Sequence, residues 1–414
     1  MPDIDLRLLA LRMALACVVV LRPITAGAQT EPDPAETARF QQGTIAFTPA
    51  IVFSDGYDTN VYREPVGFAD HETFAVPQIE GFWTQPAFHI TFNAAAEFVH
   101  FANHPGAANN QAGVRIDRKN ALFRPYVSFN RKHTTANPTG FEVGYKSLRL
   151  EREASGGFSV PISPRTNVGG NVRFVGTRWD ADARYETSSL REKLNRNTLA
   201  SSVSISYAFT PLTAVGTSVE ISRDRFIFSP SRDGDTLRVS TNASFARPAL
   251  IFGAASVGYE RFRSPDSGAA DFSGIAGTVN LGWGDPAGTL VKLQVNRGVQ
   301  YSYDTALAYF VLTGINLTAA RRLGGRWDTA LFANRFSMDY RPAGTTASVG
   351  RINYLDEFGG AIAYRIGPWI RLGVSTERAE EHGTVQFGAV RAVMFLTYGS
   401  GRFQRLDRPT PFER

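Results

Sequence analysis

From about Gly43 to Gly399 the chain places apolar residues at every second position, a period that belongs to β-strands and not to helices. Phe88, Ile90, Phe92, Ala94, Ala96 and Phe98 alternate with His89, Thr91, Asn93, Ala95 and Glu97. Leu199, Ser201, Val203, Ile205, Tyr207 and Phe209 alternate with Ala200, Ala208 and three serines. Val291, Leu293, Val295, Val299 and Tyr301 continue the habit, with Arg297 breaking the apolar series, and Leu307, Tyr309, Val311, Thr313, Ile315 and Leu317 follow. Many of these stretches exceed ten residues. Strands of soluble proteins run to ~5–6 residues, whereas a tilted membrane crossing takes ~9–11.

The breaks between stretches alternate between short and long. The short ones centre on Pro86, Asn120, Pro164, Pro211, Pro248, Pro286, Gly324 and Pro368. The long ones include 54–72, 102–111, 179–196, 225–235, 263–271 and 339–352, rich in Asp, Asn, Gly, Ser and Arg. Short turns on one rim and long loops on the other are the asymmetry of transmembrane barrels. Trp83, Tyr207, Phe209, Trp283, Trp327 and Trp369 fall beside the short turns, where an aromatic girdle at the membrane–water boundary is expected; Trp179 lies toward the other end of its strand. The competing reading of these aromatics is ordinary packing in a large soluble β-protein.

The expected fold class is therefore all-β: a transmembrane antiparallel up-and-down β-barrel of about 18 strands, with 16 as the alternative because 111–145 is the least clear stretch. An open sheet edge in hydrocarbon would leave N–H and C=O groups unpaired at several kcal/mol each, so the sheet must close. The apolar series is expected to face lipid and the intervening series the lumen. The second series supplies His89, Asn93, Glu97, Arg124, Arg149, Glu151, Glu153, Asn171, Arg173, Lys292, Gln294, Asn296, Arg371 and Glu377 as candidate lumen-lining residues. On the lipid side an Arg or Lys at mid-depth would cost ~2–4 kcal/mol. For each residue singly, bracing the wall competes with setting solute selectivity.

Residues 1–28 read as a secretory signal: Arg7 and Arg12, then the apolar run Met13–Leu21, then Ala26-Gly27-Ala28. The single cysteine, Cys17, lies inside it, so no disulfide or thiolate metal site is expected in the processed chain. Residues 29–42 read as a flexible periplasmic lead-in, 43–399 as the barrel and 400–414 as a periplasmic tail. A mean hydropathy of −0.17 excludes a bundle of membrane helices but not a barrel, in which only alternate residues meet lipid. The formal net charge of +6 is spread along the chain and forms no basic stripe for nucleic acid.

No G-x-S-x-G, H-E-x-x-H, P-loop or EF-hand loop occurs, and no catalytic residue, cofactor or metal site is expected. Asp233-Gly234-Asp235 and the Asp55/Asp58 pair are polar loop tips before they are calcium ligands. Of the histidines outside the signal, His100 falls on the apolar series near a loop and would be the base if the barrel were a hydrolase.

The segment from Phe47 to Arg63, FTPAIVFSDGYDTNVYR, resembles the opening strand and first loop of a family of outer-membrane β-barrel porins, with a Gly56-Tyr57-Asp58-x-Asn60-Val61-Tyr62-Arg63 core. Members of that family often accompany capsule or exopolysaccharide export machinery, so the resemblance implies a pore or export role. Three readings stay open: a channel for polysaccharide or small hydrophilic solutes, a structural or adhesive barrel whose loops bind a partner, and a membrane-embedded hydrolase. Outer-membrane lipid and the barrel-insertion machinery are the expected partners. The insertion signal is expected around Val393, Phe395 and Tyr398, or at Phe403 if the last strand extends.

Overall fold

The computed structural model describes residues 38–118, 122–135, 147–185, 188–246, 249–264, 271–285, 288–304, 307–342, 351–383 and 386–399. The signal-like segment, the tail beyond Gly399, Phe403 and the turn residues Asn120, Pro248 and Pro286 lie outside them. Eighteen long antiparallel strands among the described residues form one closed barrel. In chain order they are β1 (Ile45–Asp58), β2 (Asp70–Thr84), β3 (Phe88–Phe101), β4 (Ala107–Arg118), β5 (Arg124–Thr134) and β6 (Arg149–Pro161). Then come β7 (Thr166–Trp179), β8 (Arg196–Thr210), β9 (Thr213–Phe226), β10 (Gly234–Phe245), β11 (Ile251–Arg263) and β12 (Phe272–Gly284). The last six are β13 (Thr289–Tyr301), β14 (Leu307–Leu323), β15 (Trp327–Pro342), β16 (Ile352–Arg365), β17 (Ile370–His382) and β18 (Phe387–Tyr398).

Each strand pairs with its neighbours in sequence, and β18 closes on β1 through Ile51↔Tyr398 to Asp58↔Arg391. Tyr398 is thus the last residue of the closing strand. The uncertain stretch 111–145 supplies β4 and β5, which gives eighteen strands and not sixteen. At the short-turn rim, the three residues Gly324–Arg326 join β14 to β15; the positive φ of Gly324 (55°) and Gly325 (77°) is a conformation glycine adopts without steric cost.

Because cross-strand partners share a face, parity carries around the ring. Exposed Ile51, Phe53, Phe98, Val203, Ile205, Val257, Ile275 and Met394 mark the outer face, while buried Val52, Val76, Glu97, Glu260 and Ala363 mark the inner one. This is the inside-out arrangement of a barrel meant for lipid.

The lead-in is not wholly without structure. Phe40–Gln42 form a short strand that pairs with Ile45–Phe47, next to the stretch of β1 below Ile51 that β18 does not reach. Phe40 stacks on Phe47 at 5.2 Å, and Arg39 covers Tyr398 and Trp369 at 4.4 and 5.0 Å. An otherwise bare sheet edge is thereby capped. The loop between β7 and β8 carries a small hairpin and the short helix α1 (Leu190–Leu194), with Ser189 as its N-cap.

Candidate channel constriction

The run Leu307–Leu312, LAYFVL, is apolar at six consecutive positions, and all six residues are buried. A barrel strand with lipid on one face and water on the other should alternate; burial on both faces requires protein on both sides. The pairing shows how this arises. β12 and β13 are bonded only from Gly284↔Leu290 to Gly277↔Arg297. β12 runs on to Phe272 beside β11, whereas β13 runs on to Tyr301 beside β14 alone. Beyond Arg297 β13 parts from β12, and the β13–β14 hairpin, still bonded to β15 as far as Leu307↔Pro342, folds inward.

Its former outer face then lies on the inner face of the wall. Val299, Tyr301, Tyr309 and Val311 pack with Phe262 of β11 and Phe272 of β12. Tyr301 meets Phe226 of β9 edge-on at 4.8 Å, and Tyr309 meets Phe262 at 4.9 Å. The opposite face, with Phe310 and Leu312, packs on Phe336, Met338 and Tyr340 of β15 and Leu355 of β16. The turn residue Tyr303 reaches Trp179 of β7 at 5.6 Å, in a cluster with Leu190 and Leu194 of α1. The hairpin therefore overlies the wall from β12 to β7, roughly 24 Å at the usual strand spacing. This corrects the expectation that Val299, Tyr301, Tyr309 and Val311 face lipid: the alternation is kept, but the face they occupy is turned inward.

Polar groups latch the hairpin. Separation from β12 frees backbone groups that must be paired. Glu260 Oε1 accepts the Val299 N–H at 3.3 Å, while Arg238 holds the same carboxylate. The Arg297 Nε donates to the Ile275 carbonyl at 3.1 Å. Tyr301 Oη donates to Asp224 at 3.1 Å. Arg232, in the single turn Pro230–Arg232, donates to the carbonyls of Ser302, Leu307 and Ala308. Gly234 is required beneath, since a Cβ there would collide with the Tyr301 hydroxyl and Phe262.

The first loop folds inward as well. Asn60 donates its N–H to Asp58 Oδ1 (2.9 Å) and clamps Glu64 through both side-chain atoms. Val61 enters an inner-face cluster with Val52, Phe74, Val76, Val99 and Phe101. Tyr62 packs edge-on to His104 at 5.2 Å, and Arg63 pairs with Glu377 of β17 at 3.0 Å. Gly56 lies where a Cβ would strike the Ala392 carbonyl across the closing seam. The sequence motif of the first loop is thus a set of parts that turn the loop into the barrel mouth and allow the seam to close.

The fourteen candidate lumen residues stand on the inner-face parity. Several are braced. Glu97 accepts from Asn109 Nδ2 at 2.8 Å with no exposure, Arg149 pairs with Glu151 at 3.0 Å, and His89 Nδ1 lies 3.2 Å from Thr84 Oγ1. Asn171 Nδ2 donates to Tyr126 Oη, and Gln294 Oε1 accepts from Asn316 Nδ2 at 3.4 Å. Arg371 shares Asp328 with Arg365, at 3.0 and 2.6 Å, near the short-turn rim. Asn93, Arg124, Glu153, Arg173, Lys292 and Asn296 share the face. The inner wall of β8–β12 instead presents Ser204, Ser206, Asn242, Ser256, Thr278 and Asn280 around a depression of about 270 Å³. The latch residues Arg232, Asp224 and Arg238, and Asp328 at the short-turn rim, are not among the sequence candidates; nothing in local spacing marks them.

Of the girdle candidates, Trp83, Tyr207, Phe209 and Trp327 are exposed on the outer face beside the short turns, Trp283 shares that parity half-buried, and Trp369 lies in the β16–β17 turn. Trp179 points inward. His100 is on the outer face opposite Thr73. Asp233 and Asp235 are held by Arg225, and Asp55 by Thr73. Among the described residues no group of acidic, His or Cys side chains is assembled for a metal ion.

A closed eighteen-strand cylinder, apolar outside, polar within and narrowed by inward-folded segments, defines a porin-like outer-membrane β-barrel. The family described as putative beta-barrel porin 2 matches residues 33–325, more than half of the sequence, and the chain belongs to it. The match runs from the lead-in to the β14–β15 turn. No curated protein matches the sequence. Among solved structures, Pseudomonas aeruginosa OpdQ is similar at 9% identity, covering 86% of this chain and 99% of that one, with a TM-score of 0.45. Acinetobacter baumannii OccAB3 gives 9%, 85%, 99% and 0.45, and the copper transporter OprC gives 10%, 87%, 82% and 0.44.

Proposed function

We propose that the protein is a narrow outer-membrane channel for small hydrophilic solutes. The observation that carries this reading is the β13–β14 hairpin laid across the inner wall of an otherwise polar lumen. Barrels of 16–18 strands enclose an aqueous lumen, and a folded-in segment reduces its cross-section. Charges of both signs line the interior and many are mutually paired, which favours size over a single-sign filter. Passage of a polysaccharide, implied by the sequence resemblance, would require the hairpin to swing back to the wall.

Single-channel recording in planar bilayers tests the proposal. The intact protein is expected to give small, steady conductance steps, and a variant with Ser302–Ala308 replaced by a short Gly-Ser link is expected to give larger ones. Electrical silence from both, with gel migration showing folded barrels, would overturn it.

A further inference from the structure

The outer face of β5–β7 carries a feature the channel does not use. Arg131 on β5 and Arg152 on β6 are direct cross-strand partners, both exposed and both on the outward parity. Arg178 on β7 is one outward position further along, opposite Leu150, and lies within electrostatic reach of Arg152. Cross-strand partners have Cβ atoms ~4.5–5.5 Å apart, so like charges there repel. Four other arginines on the outward parity are paired with acids, Arg225 with Asp235 (2.8 Å), Arg335 with Asp356 (3.6 Å), Arg341 with Asp339 (2.7 Å), and Arg378 with Glu380, and Arg297 stands alone among its neighbours, with only neutral acceptors among the described residues. In the β5–β7 sector, among the described residues, the hydrogen-bond acceptors are neutral: Asn110 for Arg131, and the Arg196 carbonyl and Asn197 for Arg178.

Depth adds a second constraint. Arg131 and Arg152 lie three residues inside the long-loop ends of their strands. Toward the short-turn rim the same outward rows read Phe129 and Val127, Ala154 and Gly156, and Phe174 and Val172. The cations therefore sit at the upper margin of the apolar band, and the small residues under Arg152 leave a shallow strip of wall.

We infer that Arg131, Arg152 and Arg178 bind the phosphate of an outer-leaflet lipid whose acyl chains lie along that strip. A phosphate supplies the missing negative charge and accepts charge-assisted hydrogen bonds from several guanidinium groups at once. The inference rests on the barrel spanning the outer membrane with its long loops outward.

Native mass spectrometry of the folded full chain in non-ionic detergent tests it, with diphosphorylated lipid A, phosphatidylcholine and inorganic phosphate as probes. The wild type is expected to retain lipid A selectively, and R131Q/R152Q to lose about 30-fold in affinity, given the contribution of each basic residue at a membrane surface. R335Q, on another sector, is expected to behave as wild type. Because a repulsive pair is removed, the double variant should fold at least as well, and the single variant R152Q gives a second reading. Equal retention by wild type and double variant overturns the site; full competition by millimolar inorganic phosphate assigns it to a free anion instead. Flotation of the barrel with phosphatidylcholine vesicles reports membrane insertion separately, so failure of the site and failure of the membrane reading give different results.

Discussion

Arg232→Ala tests whether the inward hairpin is latched as its hydrogen bonds indicate. Arg232 is almost fully buried and donates to three carbonyls of the hairpin turn, of which the bond to Leu307, at 3.4 Å, is the weakest. Hydrogen bonds to a charged group contribute about 1.5–3 kcal/mol each, so the two better ones set a ceiling of about 3–6 kcal/mol. Water in the mouth rehydrates the freed carbonyls and recovers about half, leaving about 1.5–3 kcal/mol. A loss of that size raises the detached population roughly 12- to 140-fold. The assay is amide hydrogen exchange on the folded barrel, read over Gly298–Tyr301 and Tyr309–Leu312. Protection there should fall by that factor while β2–β6 are unchanged, since local opening sets the exchange rate. Conductance should become noisier in parallel. Unchanged protection in the hairpin, or a uniform loss around the barrel, would refute the latch.

Three further outcomes are expected. Phe310→Ala, which empties a fully buried site between hairpin and wall, should destabilise hairpin docking by about 3–5 kcal/mol and open the same amides to exchange. Arg391→Met leaves Glu72 buried without its 3.0 Å partner across the closing seam; urea unfolding in lipid vesicles should show a loss of about 3–5 kcal/mol, less in the double variant Arg391→Met/Glu72→Met. Asp328→Asn leaves Arg365 and Arg371 unneutralised at the short-turn mouth, so the reversal potential in a salt gradient should move toward anion preference, with an unchanged potential counting against a conducting path there.

The barrel itself was legible because its cause is local. Alternation in segments such as Phe88–Phe98 follows from lipid on one side of a strand and water on the other, and the short turns follow from Pro and Gly at one rim. Inner-face parity of Glu97, Arg149 or Lys292 needs nothing more. The constriction was not read, because parity says which face a residue is on but not where that face goes once a strand leaves its neighbour. The signal was present in Leu307–Leu312, whose unbroken apolar run is incompatible with a wall strand. Arg297 at the point of departure was visible only as an interruption. Arg232 and Asp224 are separated from their hairpin partners by 70 and 77 residues of chain, and no periodicity reports such contacts.

Parting of β12 and β13 at Gly277 and Arg297 also fixes how deep the cylinder sits. Above that level the edge of β12 offers peptide groups sideways, and a hydrocarbon solvent would leave them unsolvated. The acyl ceiling must therefore run at or below Arg297, whose guanidinium tends the Ile275 carbonyl there. One broken ladder thus acts as a waterline, assigning every outward residue above it to headgroups and every one well below it to oil.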